Sequence, residues 1–431
     1  MKRIYLDNAA TTKIDPKVVD VMVKSHEYFG NPSSLHTFGQ EARKLVDEAR
    51  DFVAFFLDCK PTEIIFTSGG SESDNLAIRG VINAVILNEM KNLEKRSFDS
   101  SSSTESLRMT TVPHIITSAI EHHAVLHTVQ NLEKEGKIEA TYIKPDKNGI
   151  IQAGDIEKAI KDNTVLVSVI YVNNEVGTVQ PIREIGKKIE KLNEKREQRI
   201  YFHTDAVQAV ECFELAVKYL HVDLLSLTAH KFHGPKGVGV LYVKKGTPLE
   251  SEIIGGDQEF RMRAGTENVA GVVGLSKALE LIIRRRSDHG EVNAEMDPNY
   301  PIFKDAEVGS MRKLRDKLEN SILKTIPETY LNGDKDNRSP NITNISFKNA
   351  EGEAIILNLD FLGIAVSSGS ACTSRSLDPS HVLSAMNVPH ELSHGAIRFS
   401  LSTDTTEEEI DYLLKELPPI IKKLREMSPF H

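Results

Sequence analysis

Two hydrophobic patterns alternate along the chain. Short apolar runs at Glu63–Thr67 (EIIFT), His114–Ser118, Val165–Val172 (VLVSVIYV), Ile200–Phe202, Leu224–Leu227 and Val238–Val243 have the length and β-branching of buried strands. Between most of them, apolar residues recur every three or four positions. In Gln40–Phe56 the residues Ala42, Leu45, Val46, Ala49, Val53 and Phe56 share one helical face, and helical spacing returns from Asp74 onward and in Ile182–Leu192. Strand and helix patterns in this order predict βα units and a mostly parallel sheet, hence an α/β fold. Farther on, Gly271–Arg286 and Met311–Ile326 read as helices. Asn341–Phe347 and Ala354–Leu359 begin a smaller α+β unit, Ala396–Ser400 is a strand, and Thr406–Lys423 is an amphipathic closing helix. The serine-rich stretch 93–112 and the polar stretch 287–310 break the pattern and read as surface insertions, the first of them mobile. No internal repeat appears.

The polar residues that follow the strands carry the chemistry. Glu63–Thr67 runs into Ser68-Gly69-Gly70-Ser71, and a helix follows. Free backbone N–H groups and the helix dipole at such a turn suit a phosphate, although a plain capping turn has the same composition. The turn is neither GxxxxGK[ST] nor GxGxxG, so no P-loop or dinucleotide fingerprint is present. His122 follows the strand at 114, either as a surface histidine or as a flat ring that stacks on an aromatic cofactor. Asn174 follows Val165–Val172. Asp205 follows Ile200–Phe202, as a helix N-cap or as the partner of a cationic ring nitrogen, and Gln208 lies one helical turn on. Lys231 ends the run Leu224–Thr228 and precedes a turn with Gly234, Gly237 and Gly239; an amine in such a place is suited to Schiff-base chemistry. His122, Asn174, Asp205 and Lys231 all fall at predicted strand C-ends, where open α/β sheets bind ligands.

Cys372 lies in VSSGSACTSRS among small residues, which predicts a mobile, accessible loop and a thiol open to reaction. Arg398 interrupts an apolar strand, and a buried guanidinium of this kind suits a carboxylate. Gly255–Val269 is a polar loop with Arg261, Arg263 and Thr266. His123 and His127 are spaced i,i+4 without an acidic ligand, so no metal site is expected.

With 431 residues, 40% of them hydrophobic, the chain can bury two cores. A net charge of -9 gives no reason to expect nucleic acid or an anionic membrane as a partner. No apolar run approaches the ~20 residues of a membrane span. Met1-Lys2-Arg3 leads directly into Ile4 without a signal-peptide h-region. Three scattered cysteines, Cys59, Cys212 and Cys372, form neither a disulfide framework nor a zinc pattern, and a reducing cytoplasm is the expected compartment.

Taken together, YLDNAATT, FGNPSSLH, TSGGSESDN, EHHAVL, VNNEVGTVQPI, HTDAVQ, AHKFHGPKGVG, GGDQEFRMRAGTENV, SSGSACTS, PSHVL and HGAIRFSL resemble the cysteine desulfurases. These are pyridoxal-phosphate enzymes of the class V aminotransferase group, and the cysteine loop is similar to the long-loop (NifS/IscS-like) type. The resemblance implies fold type I, with a large α/β domain at 16–262 and a small α+β domain formed by 1–15 with 263–431. It implies that Lys231 holds pyridoxal 5'-phosphate and that Gly70, Ser71, Thr228 and His230 contact its phosphate or neighbouring groups. His122 would stack on the ring, Asp205 pair with its nitrogen and Gln208 contact its phenolate oxygen. Asn174 and Arg398 would hold the carboxylate of L-cysteine, Thr266 would reach the other subunit's cofactor in a homodimer, and Cys372 would take the sulfur as a persulfide. Iron–sulfur scaffolds and tRNA-thiolation enzymes are the implied acceptors. Ser71 stands where the family usually has threonine and Thr228 where it often has serine; both keep the hydroxyl. The two insertions are not typical of the family.

Overall fold

The computed structural model describes residues 3–99, 112–288, 306–368 and 379–427. Among them the first half of the chain runs β1 (Ile4–Tyr5), α1 (Pro16–Ser25), α2 (Thr37–Phe56), β2 (Ile64–Thr67), α3 (Gly70–Asp99), β3 (His114–Ser118), α4 (His123–Lys134), β4 (Glu139–Ile143), α5 (Ala153–Ala159), β5 (Thr164–Ser168), α6 (Ile182–Asn193), β6 (Tyr201–Asp205), α7 (Val217–Leu220), β7 (Leu224–Thr228) and β8 (Gly239–Val243). The second half runs α8 (Val269–Asp288), α9 (Ala306–Thr325), β9 (Thr329–Asn332), β10 (Ile342–Phe347), α10 (Gly352–Phe361), β11 (Ile364–Ala365), α11 (His381–Ala385), α12 (His390–Ser393), β12 (Ala396–Ser400) and α13 (Glu407–Met427).

The larger sheet has seven strands in the order β2-β8-β7-β6-β5-β3-β4. β8 runs opposite to the other six strands. Strands β3, β5 and β7 are buried throughout, which is why they read as mostly apolar runs rather than as strict alternation of apolar and polar residues. Helix α3 packs over β6, β7 and β8. Helix α6 buries Ile182, Ile185, Gly186 and Ile189, and a Cβ on Gly186 would stand 2.4 Å from the Leu220 carbonyl oxygen, so this close crossing needs glycine.

A second hydrophobic cluster joins Ile4 and Leu6 to Leu318 and Ile322 of α9, Ile345 and Phe347 of β10, and Leu413 and Leu417 of α13. β10 is the middle strand of an antiparallel three-stranded sheet with β9 and β12. β1 reaches this unit by pairing in parallel with β11, Ile4 opposite Ile364.

The structure departs from the sequence pattern at three places. The apolar run Val165–Val172 divides: Thr164–Ser168 is strand, and Val169–Val172 continues as buried chain outside it. β4 was not expected, because an edge strand that is mostly half-exposed shows no apolar run. Residues 93–99 belong to α3 rather than to a loop, and 287–288 and 306–310 belong to α8 and α9.

A buried ion pair fixes the loop after β8. Arg50, on the apolar face of α2, donates from Nη1 and Nη2 to the two oxygens of Glu259, both at 2.7 Å, and Glu259 also accepts the Phe66 N–H at 2.8 Å. Glu259, Phe260 and Arg261 all have positive φ (45°, 57° and 68°), a run that L-residues avoid unless tertiary contacts impose it. Arg50→Met is expected to destabilise the protein by about 3–5 kcal/mol, because it strands a buried carboxylate. Arg50→Met with Glu259→Leu should recover most of that loss. Denaturant midpoints of the two variants measure both.

Candidate active site

The C-terminal ends of β2, β3, β6 and β7 converge on one region. α3 starts at Gly70, directly after the turn from β2. A Cβ on Gly70 would lie 2.9 Å from Val207 Cγ2, and one on Gly239 would lie 2.7 Å from Gly69 Cα, so the turn is pressed between β8 and the segment after β6. Thr228 stands beside the turn and donates from Oγ1 to the Val238 carbonyl at 3.0 Å. Ser71 is exposed and lines a cleft with Glu72, Asn75, Ile253 and Arg263. Burial pushes the Glu72 carboxyl up, but hydrogen bonds from Arg263 and Ser68 outweigh that and hold it below the usual range. Arg263 Nε lies 3.0 Å from Glu72 Oε1.

His122 caps α4: its Nδ1 accepts the Ala124 N–H at 3.1 Å, which leaves the ring proton on Nε2. Burial, followed by the charge of Lys231, pushes the ring down to about 4, so it is neutral at physiological pH. Asp205 ends β6 and is 4% exposed; its Oδ1 accepts the Val207 N–H at 2.9 Å. Burial raises it to about 6 against the opposing pull of that hydrogen bond and of Lys231. Donor and acceptor atoms of Asp74, His122 and Asp205 lie within 4.8 Å of one another.

Lys231 closes a 3₁₀ turn, Ala229–Lys231, after β7. Its Nζ donates to the carbonyls of Ala9 at 2.6 Å and Ala10 at 2.8 Å. Gln208 Nε2 donates to the same Ala9 carbonyl at 2.8 Å. His230 Nδ1 lies 3.2 Å from Thr11 Oγ1, and burial pushes that ring down to about 4. The segment after β1 therefore ties together three of the residues singled out in the sequence.

Arg398, in β12, is buried. It donates to the Asn174 carbonyl from Nη1 at 2.8 Å and to Asp7 Oδ1 from Nη2 at 2.6 Å, while its Nε has no partner. Asn174 follows Asn173, whose Oδ1 accepts the N–H groups of Glu175 and Val176 and so shapes the turn. Next along, Glu175 Oε2 accepts from Ser380 Oγ at 2.5 Å, and His381 Nε2 meets the Glu121 carbonyl at 2.9 Å. Thr266 stands exposed on its loop. Cys372 lies outside the described residues.

The sequence reading missed Asp7, Asp74 and Glu121. Glu121 is fully buried, accepts from Ser118 Oγ and the Ile170 N–H, and is raised by burial to about 8. Asp74 had a legible signal. It heads the set Asp74, Ala77, Ile78 and Val81, the i, i+3, i+4, i+7 positions of a buried helix face.

Comparison with known proteins places the chain in a family. The family model for aminotransferase class-V matches residues 4–93, 102–296 and 303–413. A cysteine desulfurase IscS of Dictyoglomus turgidum is 47% identical over 432 residues, covering 100% of this chain and 98% of that protein. Another of Clostridium botulinum is 46% identical, covering 99% and 96%. Among solved structures, a NifS-like protein matches with a TM-score of 0.78 and 33% identity over 99% of both chains. SspA in complex with cysteine matches with a TM-score of 0.72 and 32% identity, over 94% of this chain and 100% of that one.

Proposed function

The chain belongs to the class V aminotransferases and, within them, to the pyridoxal-phosphate-dependent cysteine desulfurases; from that premise we propose that this site takes sulfur from L-cysteine, releases L-alanine and leaves a persulfide on Cys372. The observation that carries the reading is the buried Asp205, set among His122, Lys231 and the Gly70 turn. The residues fit the cofactor. Two buried carboxyls, Asp74 and Asp205, lie within 4.8 Å of each other and of a His122 ring nitrogen, and the negative charge of Asp205 suits a cationic ring nitrogen. The turn at Gly70 offers helix N–H groups to a phosphate.

Bound pyridoxal phosphate supplies an electron sink that weakens the bonds at the α-carbon of an amino acid. Lys231 Nζ would hold the aldehyde of the cofactor and, as a free amine, would carry protons at the substrate α-carbon. Asp205 would hold a negative charge at the ring nitrogen, His122 would cover the ring with a neutral imidazole, and Gln208 would contact the phenolate oxygen. Gly70, Ser71, Thr228 and His230 would hold the phosphate. Arg398, with Asn174, binds the substrate carboxylate, which then shares the guanidinium with Asp7. Cys372 attacks as a thiolate: its sulfur bonds to the substrate sulfur as the substrate Cβ–S bond breaks. The electron pair left on carbon takes a proton, and alanine results.

The domain limits 16–262 and 1–15 with 263–431 are part of the same proposal; the cluster that unites Ile4 and Leu6 with α9, β10 and α13 supports them. So is a homodimer in which Thr266 meets the partner's cofactor, for Phe29, Leu35, Phe38 and Ile254 leave apolar side chains exposed that a second copy would cover. An iron–sulfur scaffold or a tRNA-thiolation enzyme would receive the sulfur, in the cytoplasm. No helix among the described residues is long and apolar enough to cross a membrane.

Asp205→Asn tests the ring contact. Loss of a charge-assisted hydrogen bond of about 3 kcal/mol predicts a fall of about 10²-fold in alanine release from cysteine. Turnover within twofold of the unmodified protein would refute the role.

A further inference from the structure

Asp74 is 1% exposed and lies in the second turn's approach of α3, beside β6 and β7. Its Oδ1 has no hydrogen-bond partner and lies 3.6 Å from His203 Nε2. That histidine is not a counter-ion. Its two ring nitrogens meet Ser168 Oγ at 2.8 Å and Ser226 Oγ at 3.0 Å, and burial pushes it down to about 3. Two carboxylates that share a dry site do not both ionise cheaply. Asp205 has the Val207 N–H and the nearby charge of Lys231 to favour its anion. Asp74 has burial and the Asp205 charge against it, with a hydrogen bond from Ser226 as the opposing influence, and so is pushed well above the usual carboxylate range. The titratable groups that face it are Asp205 and His203 from β6 and Glu121 and His122 from the turn into α4.

We propose that Asp74 is a positioning residue of the cofactor site: a neutral carboxyl whose proton faces Asp205 and keeps Asp205 as the one negative charge at the ring nitrogen. The proposal rests on the cofactor reading above. It gives the unpartnered Oδ1 a role, since a protonated Oδ1 needs an acceptor and the Asp205 carboxylate has an oxygen within 4.8 Å of an Asp74 oxygen.

The linkage has a definite sign. A carboxyl that keeps its proton in the fold, above the ordinary value of about 3.9, contributes stability that is fully present below that value. The contribution is lost as pH rises through the raised one. Cofactor-free Asp74→Asn, which has no proton to lose, should therefore melt about 2 °C above the unmodified protein at pH 8 and level with it near pH 4. A deficit that grows toward pH 8 would overturn the proposal.

The second measurement uses the full chain reconstituted with pyridoxal phosphate and follows the visible absorption band against pH. Asparagine still offers an N–H to Asp205, so the midpoint in Asp74→Asn should stay within about 0.3 of the unmodified protein. Leucine offers none, so the midpoint in Asp74→Leu should rise by about one unit as Asp205 holds the nearby proton more tightly. If both variants shift downward together, Asp74 is an anion and the proposal falls. If neither shifts, its role is packing alone and the proposal also falls. Absence of a band from the unmodified protein would overturn the cofactor reading itself, an outcome distinct from the other two.

Discussion

Lys231→Ala is expected to lose at least about 10³-fold in alanine release from cysteine, because in the proposed function one amine would both anchor the cofactor and move the α-proton, and proton transfer alone contributes about 10²–10⁴-fold. The structure adds a second expectation. Lys231 Nζ bridges the Ala9 and Ala10 carbonyls, so its removal also releases the segment after β1. Lys231→Ala should thus bind pyridoxal phosphate more weakly, as read by fluorescence titration. Lys231→Arg keeps a donor for those carbonyls but not a nucleophile, so it should recover stability without recovering turnover. Recovery of turnover by arginine would show that Lys231 is not the reacting amine.

Cys372→Ala is expected to lose at least about 10²-fold in sulfide and alanine production from cysteine in the presence of a reductant, with the cofactor's absorption unchanged. No other thiol in the chain is placed to replace it: Cys212 is buried, and burial pushes Cys59 up to about 12, which keeps it a thiol. Mass spectrometry of the unmodified protein after a brief exposure to cysteine should find one added sulfur on Cys372. Undiminished turnover in Cys372→Ala, or the added sulfur on Cys59 or Cys212, would remove Cys372 from the mechanism. An ordinary thiol is only a few per cent thiolate at pH 7, so the single-turnover rate should rise between pH 7 and 8.5.

The two proteins also separate the halves of the chemistry. Lys231→Ala should fail before the substrate is bound productively, whereas Cys372→Ala should bind cysteine and stop at sulfur transfer. Spectra recorded on addition of cysteine distinguish them, because only Cys372→Ala should respond.

Much of the fold was legible because a buried parallel sheet needs apolar runs, and β3, β5 and β7 have them. β4 was not, since its side chains are mostly half-exposed and its pairing with β3 is decided by backbone hydrogen bonds. Asp205 and Lys231 stood out at strand ends. Asp7 did not, because what gives it meaning is Arg398, far along the chain, whose Nη2 it accepts at 2.6 Å. The Arg50–Glu259 pair was hidden for the same reason: a polar residue inside an apolar helical face reads as noise until its distant partner is known. Long-range pairing of polar groups leaves no local periodicity, so such contacts emerge only in three dimensions.

The pairing of Ile4 with Ile364 has a consequence for how the protein is made. β1 leaves the ribosome early but has no strand to join until β11 follows it. At about 5–20 residues per second the wait is roughly 20 to 70 seconds. Ala9 and Ala10, which hold Lys231, sit a few residues beyond β1 and share the delay. The large sheet can assemble during synthesis, while the lysine's surroundings come together near its end. A ribosome-bound chain arrested before residue 364 would thus carry most of the architecture without a finished seat for the cofactor.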